Sequence, residues 1–140
     1  HVLYWESDEQ SNDKGGVAEP EGSGWTFSAA HFFQDKYMPF FRYGDSDGGG
    51  GALNEKLIAA GLGIYDWDSG ELFGFGVSRT TPSEKQFGPA DDQTSAEVFY
   101  RFMLSKHLAV TPDLQYIKDP ALNPNDDSIV IVGVRARLTI

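Results

Sequence analysis

The 140-residue sequence contains no cysteine, which excludes a disulfide framework, a cysteine metal site and thiolate catalysis. It also lacks any apolar run near the roughly 18 residues that a transmembrane helix needs, so a helical membrane protein is excluded. Basic residues are few, with 11 Lys and Arg against 21 Asp and Glu and a formal net charge of -10. The chain therefore lacks the basic stripe that nucleic-acid binding requires, and we expect no nucleic-acid partner.

The motifs of common enzymes are missing as well. His1, His31 and His107 are scattered without metal-ligand spacing, and no nucleophile elbow or phosphate loop occurs. The glycine run at residues 48–51 lacks the Lys and Ser or Thr of a phosphate-binding loop, and its composition favours a flexible surface loop. We expect neither an enzyme nor a bound cofactor.

The sequence does contain many aromatic residues, many glycines and a strict alternation of apolar and other residues. The alternation is clearest in the last segment, whose opposite face carries Arg135 and Arg137. Period two over this length indicates a strand. The apolar face of this strand comprises Val130, Val132, Val134, Ala136, Leu138 and Ile140.

Earlier segments repeat this pattern and complete a set of about eight amphipathic strands. Two of them have strand composition but no safe assignment of faces, at residues 2–5 and 25–33. The segments with assignable faces lie at residues 38–43, 58–65, 73–78, 97–104 and 108–116.

The connections between these segments alternate in length along the chain. Short ones lie at residues 34–36, 66–70 and 105–107, and long ones at 7–24, 44–55, 80–94 and 118–127. Outer-membrane barrels alternate short periplasmic turns with long extracellular loops, whereas a soluble sandwich has no reason to do so. The sequence therefore predicts an all-β, antiparallel transmembrane β-barrel. A self-contained eight-stranded barrel with a structural or adhesive role and a soluble sugar-binding β-sandwich remain as alternatives.

Two neighbouring predicted strands offer the barrel interior only very small side chains. A complete eight-stranded barrel fills its interior with side chains, so this thin wall suits a wide lumen or a loop folded against it. An open sheet also leaves bare edges that lipid does not tolerate, so the remaining strands must come from an N-terminal portion or from another copy. The small residues are Ala59, Gly61, Gly63, Gly74, Gly76 and Ser78.

Charged and amide side chains share the predicted inner face. They could contact hydroxyl-rich solutes and set an ion preference, or they could pair across strands and hold the wall rigid. Both interpretations stay open at this point. The predicted pore-lining residues are Arg42, Glu97, Arg101, Asp113, Gln115, Arg135 and Arg137.

Large aromatic residues lie near predicted strand ends, where barrels carry interfacial girdles. The girdle role is favoured for Tyr43 and Tyr116, which face outward, over a sugar-stacking role inside the pore. For Trp5 and Trp25 the sequence does not decide between the two roles. Tyr37 and Trp67 complete the set.

Two acidic clusters have oxygen ligands spaced by two residues beside a glycine, as in part of a calcium loop. Neither has the full spacing or the terminal Glu of an EF-hand, so Ca²⁺ is only a weak expectation and turn geometry is favoured. The residues concerned are Asp45, Asp47, Asp66 and Asp68.

The C-terminal third resembles the carbohydrate-selective porin family (OprB-type). The resemblance rests on Glu97-Val-Phe-Tyr-Arg-Phe, on Leu108-Ala-Val-Thr-Pro-Asp-Leu-Gln-Tyr-Ile-Lys-Asp-Pro and on Gly133-Val-Arg-Ala-Arg-Leu. Weaker upstream matches are Pro39-Phe-Phe-Arg-Tyr-Gly and Gly61-Leu-Gly.

The resemblance implies a barrel of about 16 to 18 strands that admits small sugars by passive diffusion across the outer membrane of a Gram-negative bacterium. It implies that residues 1–140 are the C-terminal portion of that barrel as one incomplete domain. The family's pore arginines and acids would then lie at Arg42, Glu97, Arg101, Asp113, Arg135 and Arg137. Outer-membrane lipid, lipopolysaccharide and further copies in a homo-oligomer are the other expected partners.

Overall fold

A computed structural model describes residues 1–11, 17–123 and 125–139. Its main feature is one antiparallel sheet of eight strands in the order β1-β4-β5-β6-β7-β8-β9-β10, and β2 and β3 form a separate two-stranded hairpin. The elements are β1 Val2–Ser7, β2 Gln10–Ser11, β3 Val17–Glu19, β4 Gly22–Ala30, β5 Tyr37–Ser46, β6 Asn54–Tyr65, β7 Leu72–Pro82, α1 Glu84–Phe87, β8 Gln93–Met103, β9 Leu108–Lys118 and β10 Ser128–Leu138.

Every predicted strand segment is present in the sheet, with shifts at some ends. β4 stops at Ala30, because the chain reverses through Gln34 and Asp35, whose φ angles are 52 and 50 degrees. β7 continues to Pro82, since its last residues still pair with the start of β6. The predicted last strand ended at Ile140, which lies outside the described residues, whereas β10 ends at Leu138.

The segregation of the connections is confirmed. Each strand of the large sheet runs antiparallel to its neighbour, so the short turns share one end of the sheet and the long connections share the other. The long connections carry structure that the alternation did not reveal, namely the β2–β3 hairpin and the short helix α1. We call the two ends of the sheet the short-turn end and the long-connection end.

One face of the sheet is apolar and open. Val132 and Val134 of β10 are 75% and 72% exposed, and of the Ala, Val, Ile, Leu, Met and aromatic residues in the described part of the chain only Ala109 is buried. A soluble β-sandwich would pack the inner faces of two sheets into a shared core about 10 Å thick. The described residues form no such second layer, so the sandwich alternative is wrong.

The sheet is open. β1 and β10 are its two edges, and within the described residues they do not pair with each other. A self-contained eight-stranded barrel would close through that pairing, so the fold is an all-β wall and not a complete small barrel. In the described residues, no helix is both long and apolar enough to span a membrane.

Candidate pore lining

The face opposite the open apolar surface brings the predicted pore-lining residues together. In an antiparallel pair, residues directly opposite each other project to the same side. Asp113 lies opposite both Gly133 and Phe99, and Gln115 lies opposite Glu97. The same registers, followed across the sheet, place all seven predicted residues on this one face, which we call the inner face.

The charged residues on the last three strands are sorted by height, which is the position along the strands between the short-turn end and the long-connection end. Arg135 and Arg137 lie opposite Thr111 and Ala109, close to the short-turn end. Arg101 lies on β8 at a similar height, between Phe99 and Phe102. Glu97 and Asp113 follow towards the long-connection end, so the arginines and the acidic groups occupy different levels of this wall.

These side chains have few partners on the inner face. The Gln115 amide donates to Asp113 at 3.4 Å, and Arg42 donates through Nε to the Ser28 hydroxyl at 3.3 Å. In the described part of the chain the ion pairs are Arg79–Asp92, Lys85–Asp47 and Lys118–Asp119, and none joins two of the predicted pore residues. The cross-strand ion pairs that the structural interpretation expected are therefore absent from this set within the described residues.

The inner face of β6 and β7 was expected to be bare, because its residues are small, but aromatic rings cover part of it. A Cβ on Gly61 would overlap the Phe40 ring, and a Cβ on Gly74 would overlap the Phe99 ring. Aromatic rings that cover a strand glycine from a neighbouring strand are a known device of β-sheets. Phe40 and Phe99 alternate in step with Arg42 and Glu97 of their own strands, which predicts their face but not this role. The signal available to sequence analysis was an aromatic residue directly opposite a glycine.

A cleft of about 330 Å³ opens on this part of the inner face. Phe40 and Phe99 line it from β5 and β8, and Met38, Leu72 and Ile117 add apolar surface. Its polar lining side chains are Ser78, Ser95, Glu97 and Gln115.

The glycine-rich connection between β5 and β6 is packed, whereas its composition favoured a flexible surface loop. Gly48 and Gly49 are buried. A Cβ on Gly49 would collide with the Glu21 backbone, and one on Gly50 would lie 3.0 Å from Trp5 and Ser7 of the inner face. The connection therefore leans inward over the long-connection end of the wall.

Ser83 ties this connection to the one that follows β7. Its side chain is fully buried, its hydroxyl donates to the Gly48 carbonyl at 2.7 Å, and it accepts from the Gln86 amide at 3.3 Å as the N-cap of α1. The Gln86 side chain donates to Glu19 at 2.8 Å, which adds the β2–β3 hairpin. Three long connections thus form one contact cluster, which we call the loop cluster.

Asp47 holds the loop cluster to β4. Its carboxylate accepts from the Gly49 amide at 2.9 Å and from the Ser23 amide at 3.2 Å. These backbone hydrogen bonds, with Lys85 nearby, hold the pKa of Asp47 below its ordinary value of 3.8. The bonds favour the charged form, so protonation of this carboxyl weakens the cluster.

We expect the loop cluster to loosen only in acid. Because the pKa is lowered in the folded protein, the stabilisation by Asp47 is fully present above about pH 4 and is lost as the pH falls through the folded-state pKa. Hydrogen exchange at the Ser23 and Gly49 amides, corrected for the intrinsic rate at each pH, measures this. Asp47→Asn should remove the pH step, and a step lying between pH 5 and 7 would contradict the assignment.

The weak calcium candidates have other partners. Asp66 accepts from the Asp68 amide at 3.0 Å within its turn, and Asp45 accepts from the Tyr43 hydroxyl at 3.3 Å. Among the described residues, no group of three or more acidic or histidine side chains is placed to hold a metal ion. The calcium expectation stays a prediction. The Asp66 contact is one of turn geometry, whereas Asp45 lies within β5.

The structure separates the two tryptophans that the sequence left undecided. Trp25 lies on the apolar face with its ring centroid 5.3 Å from that of Tyr43, as interfacial girdle residues would. Trp5 lies on the inner face opposite Gly24, beneath the loop cluster. Trp67 lies in a turn of the short-turn end, 4.4 Å from Tyr65 between ring centroids.

Comparison with known proteins agrees with this wall. The family model described as "Carbohydrate-selective porin, OprB family" matches residues 59–140, which is more than half of the chain. The chain belongs to the OprB family of carbohydrate-selective porins. Its relatives are porins, which are channels and not enzymes.

The chain is also similar to one curated protein and to one solved structure. The porin AaxA of Chlamydia felis (strain Fe/C-56) is 27% identical over 124 residues, which cover 84% of this chain and 28% of the relative. The high-pH structure of Pseudomonas putida OprB superposes with a TM-score of 0.69 at 19% identity, covering 98% of this chain and 43% of that one. The second likeness shows the fold alone. The OprB-family chain described here spans less than half the length of either relative.

Proposed function

We propose that this chain forms part of the wall of an outer-membrane pore through which small sugars diffuse passively. The observation that carries the proposal is the division of one sheet into two unlike faces. One face exposes a continuous apolar surface, and the other carries charged, amide and glycine positions. Transmembrane barrels alternate in this way, with lipid outside and water inside.

The remaining strands of the barrel are supplied from outside this sheet. In lipid every backbone amide and carbonyl needs a partner, so the bare edges of β1 and β10 must be paired for the wall to exist in a membrane. This chain covers less than half of each relative, which supports the idea that a longer polypeptide contributes the other strands. Another copy of the chain is the second possible source.

The inner-face residues do the selecting. Arg42, Glu97, Arg101, Asp113, Gln115, Arg135 and Arg137 would exchange part of a sugar's hydration for hydrogen bonds. The arginines and carboxylates of β8, β9 and β10 suit a neutral, hydroxyl-rich solute, whose hydroxyls can accept from the guanidinium groups and donate to the carboxylates. No chemical step is involved, and the work is done by shape and by the polar groups of the wall.

Liposome swelling with sugars of graded size tests the proposal. Vesicles that contain the assembled pore should swell in small sugars, more slowly as the sugar grows, and not in a polysaccharide. Absence of swelling in any sugar, from pores that conduct ions, would remove the carbohydrate part of the proposal and leave the pore.

Arg135→Ala should shift the ion preference of the pore towards cations. Two unit charges 4 Å apart in water interact by about 1 kcal/mol, so the cation-to-anion permeability ratio should change by no more than about fivefold. Reversal potentials in a salt gradient across a planar bilayer measure this. Val134→Ala on the same strand faces away from the lumen and should leave the ratio unchanged. A shift as large in that control would contradict the assignment of faces.

A further inference from the structure

Four glycines form a shallow floor on the inner face, where β6 and β7 run side by side. Gly61 lies opposite Gly76, and Gly63 lies opposite Gly74, so the glycines occupy two adjacent rows of the sheet. Larger side chains flank each row. Phe40 on β5 lies opposite Gly61, and Phe99 on β8 lies opposite Gly74.

Both phenyl rings lean over this floor. The positions that a Cβ would take on Gly61 and Gly74 are filled by ring atoms of Phe40 and Phe99. One side of each ring therefore rests on the backbone of the neighbouring strand. The rest of each ring surface lines the cleft. Gly76 differs, because a Cβ there would meet its nearest atom, in the Phe40 ring, at an ordinary contact distance of 3.6 Å, so the ring leaves room for a methyl group above this glycine.

Polar groups border the rings on the β8 and β9 side. Glu97 lies opposite Gly76 on one side and opposite Gln115 on the other, and Ser78 lies opposite Ser95 one row further along. Glu97 is exposed, so its carboxylate is available as an acceptor. The cleft thus combines aromatic surface with a few convergent hydrogen-bonding groups, at the small end of the size range of ligand sites.

We infer that this cleft is a transient binding site for a single pyranose ring, with its C–H face on Phe40 and Phe99 and its hydroxyls on Glu97 and Gln115. The inference rests on the proposed function, because it takes the inner face as the wall of a sugar pore. It adds a site where the sugar binds transiently and identifies the phenyl rings that contact it.

The chemistry of the lining selects this occupant over others. An alkyl chain would cover the rings but would leave the Glu97 carboxylate and the Gln115 amide without partners, which is unfavourable. A hydrated ion would satisfy the polar groups and gain nothing from the phenyl rings. A pyranose has an apolar C–H face edged by hydroxyls, so it matches both parts of the lining.

The site must be weak to serve a pore. Diffusion requires binding that favours entry and still lets the solute leave quickly. A few ring contacts on one wall meet that requirement, and the small residues of the floor bring the sugar close to the backbone without enclosing it. We therefore expect brief occupancy and not tight capture.

Phe99→Leu and Gly74→Ala test the site in the assembled pore, in a planar bilayer with D-glucose as the probe. The first variant removes a ring, and the second displaces it, because the new Cβ takes the place of ring atoms. In each variant we expect the apparent affinity for glucose, measured from glucose-dependent current noise, to fall about threefold to tenfold. Gly44→Ala is the matched control, since its Cβ would meet its nearest neighbour at an ordinary 3.4 Å and it lies outside this cleft.

Sorbitol and glycerol separate the outcomes. Sorbitol carries the hydroxyls of a hexose without a ring, so its weaker interaction should not change in either variant, and glycerol passage reports an intact pore. Glucose binding unchanged in Phe99→Leu, with normal conductance, would overturn the inference while leaving the pore proposal intact. Phe99→Leu pores that pass every solute faster, sorbitol and glycerol included, would overturn it too, because Phe99 would then narrow the passage and not bind a pyranose. A wild-type assembly that neither conducts nor passes glycerol would instead refute the proposed function. If Gly74→Ala does not assemble, Phe99→Leu alone decides.

Discussion

Val132→Arg is expected to prevent or severely weaken assembly of the wall in a membrane. Val132 is 75% exposed on the apolar face, near the middle of β10, and lies opposite Leu114. A cation on the lipid face at the bilayer midplane costs about 2–4 kcal/mol in barrels of this kind. Urea titration of the folded fraction in lipid vesicles, read from the gel mobility of the folded form, measures the loss.

Ile131→Arg is the matched control for that change. Ile131 is the preceding residue of the same strand, and its side chain lies on the inner face opposite Gln115. There the guanidinium would meet water and the amide of Gln115, so assembly should persist and ion preference should change instead. Equal loss of assembly in the two variants would contradict the division of the sheet into lipid and lumen faces.

The arrangement of strands was largely predictable because period-two alternation survives in almost every strand. Val130, Val132 and Val134 against Arg135 and Arg137 define a face without any knowledge of neighbours. The alternating lengths of the connections then showed which strand ends share one end of the sheet. The charged inner face followed from the same alternation, which is why all the predicted pore residues lie on it.

The strand ends and the packing across strands were less accessible. Extension of β7 to Pro82 depends on its register with β6, and the end of β4 at Ala30 depends on left-handed backbone at Gln34 and Asp35. The seating of Phe99 on Gly74 is a contact between residues 25 positions apart on neighbouring strands. Single-strand periodicity contains no information on such pairs until the register is known.

The glycine run at residues 48–51 shows how composition can mislead. Four consecutive glycines resemble a flexible linker, yet Gly48 and Gly49 are buried, and Gly49 lies against the backbone of Glu21 and Gly22. Glycine serves there because only a residue without a side chain allows backbone to approach so closely. The buried Ser83 hydroxyl, bonded to the Gly48 carbonyl at 2.7 Å, then links this connection to the next.

Gly49→Ala is therefore expected to open the loop cluster. The added methyl group would collide with the Glu21 backbone, and a collision with backbone cannot be relieved by rotating a side chain. Overpacking of this kind costs about 1–3 kcal/mol, enough to release the β5–β6 connection from the inner face beside Trp5. The mouth of the pore should widen, since Gly50 and its neighbours no longer lean over it.

Two measurements check this expectation together. Trypsin should cleave faster at Lys85 in Gly49→Ala, because α1 is anchored through Ser83 to the displaced connection, and cleavage follows the population of the open form. Liposome swelling should admit larger sugars than the wild-type pore does. Gly44→Ala, whose methyl group would meet its nearest neighbour at an ordinary contact distance of 3.4 Å, should change neither. Faster cleavage without any change in the size limit would mean that the loop cluster stabilises the connections but does not narrow the mouth.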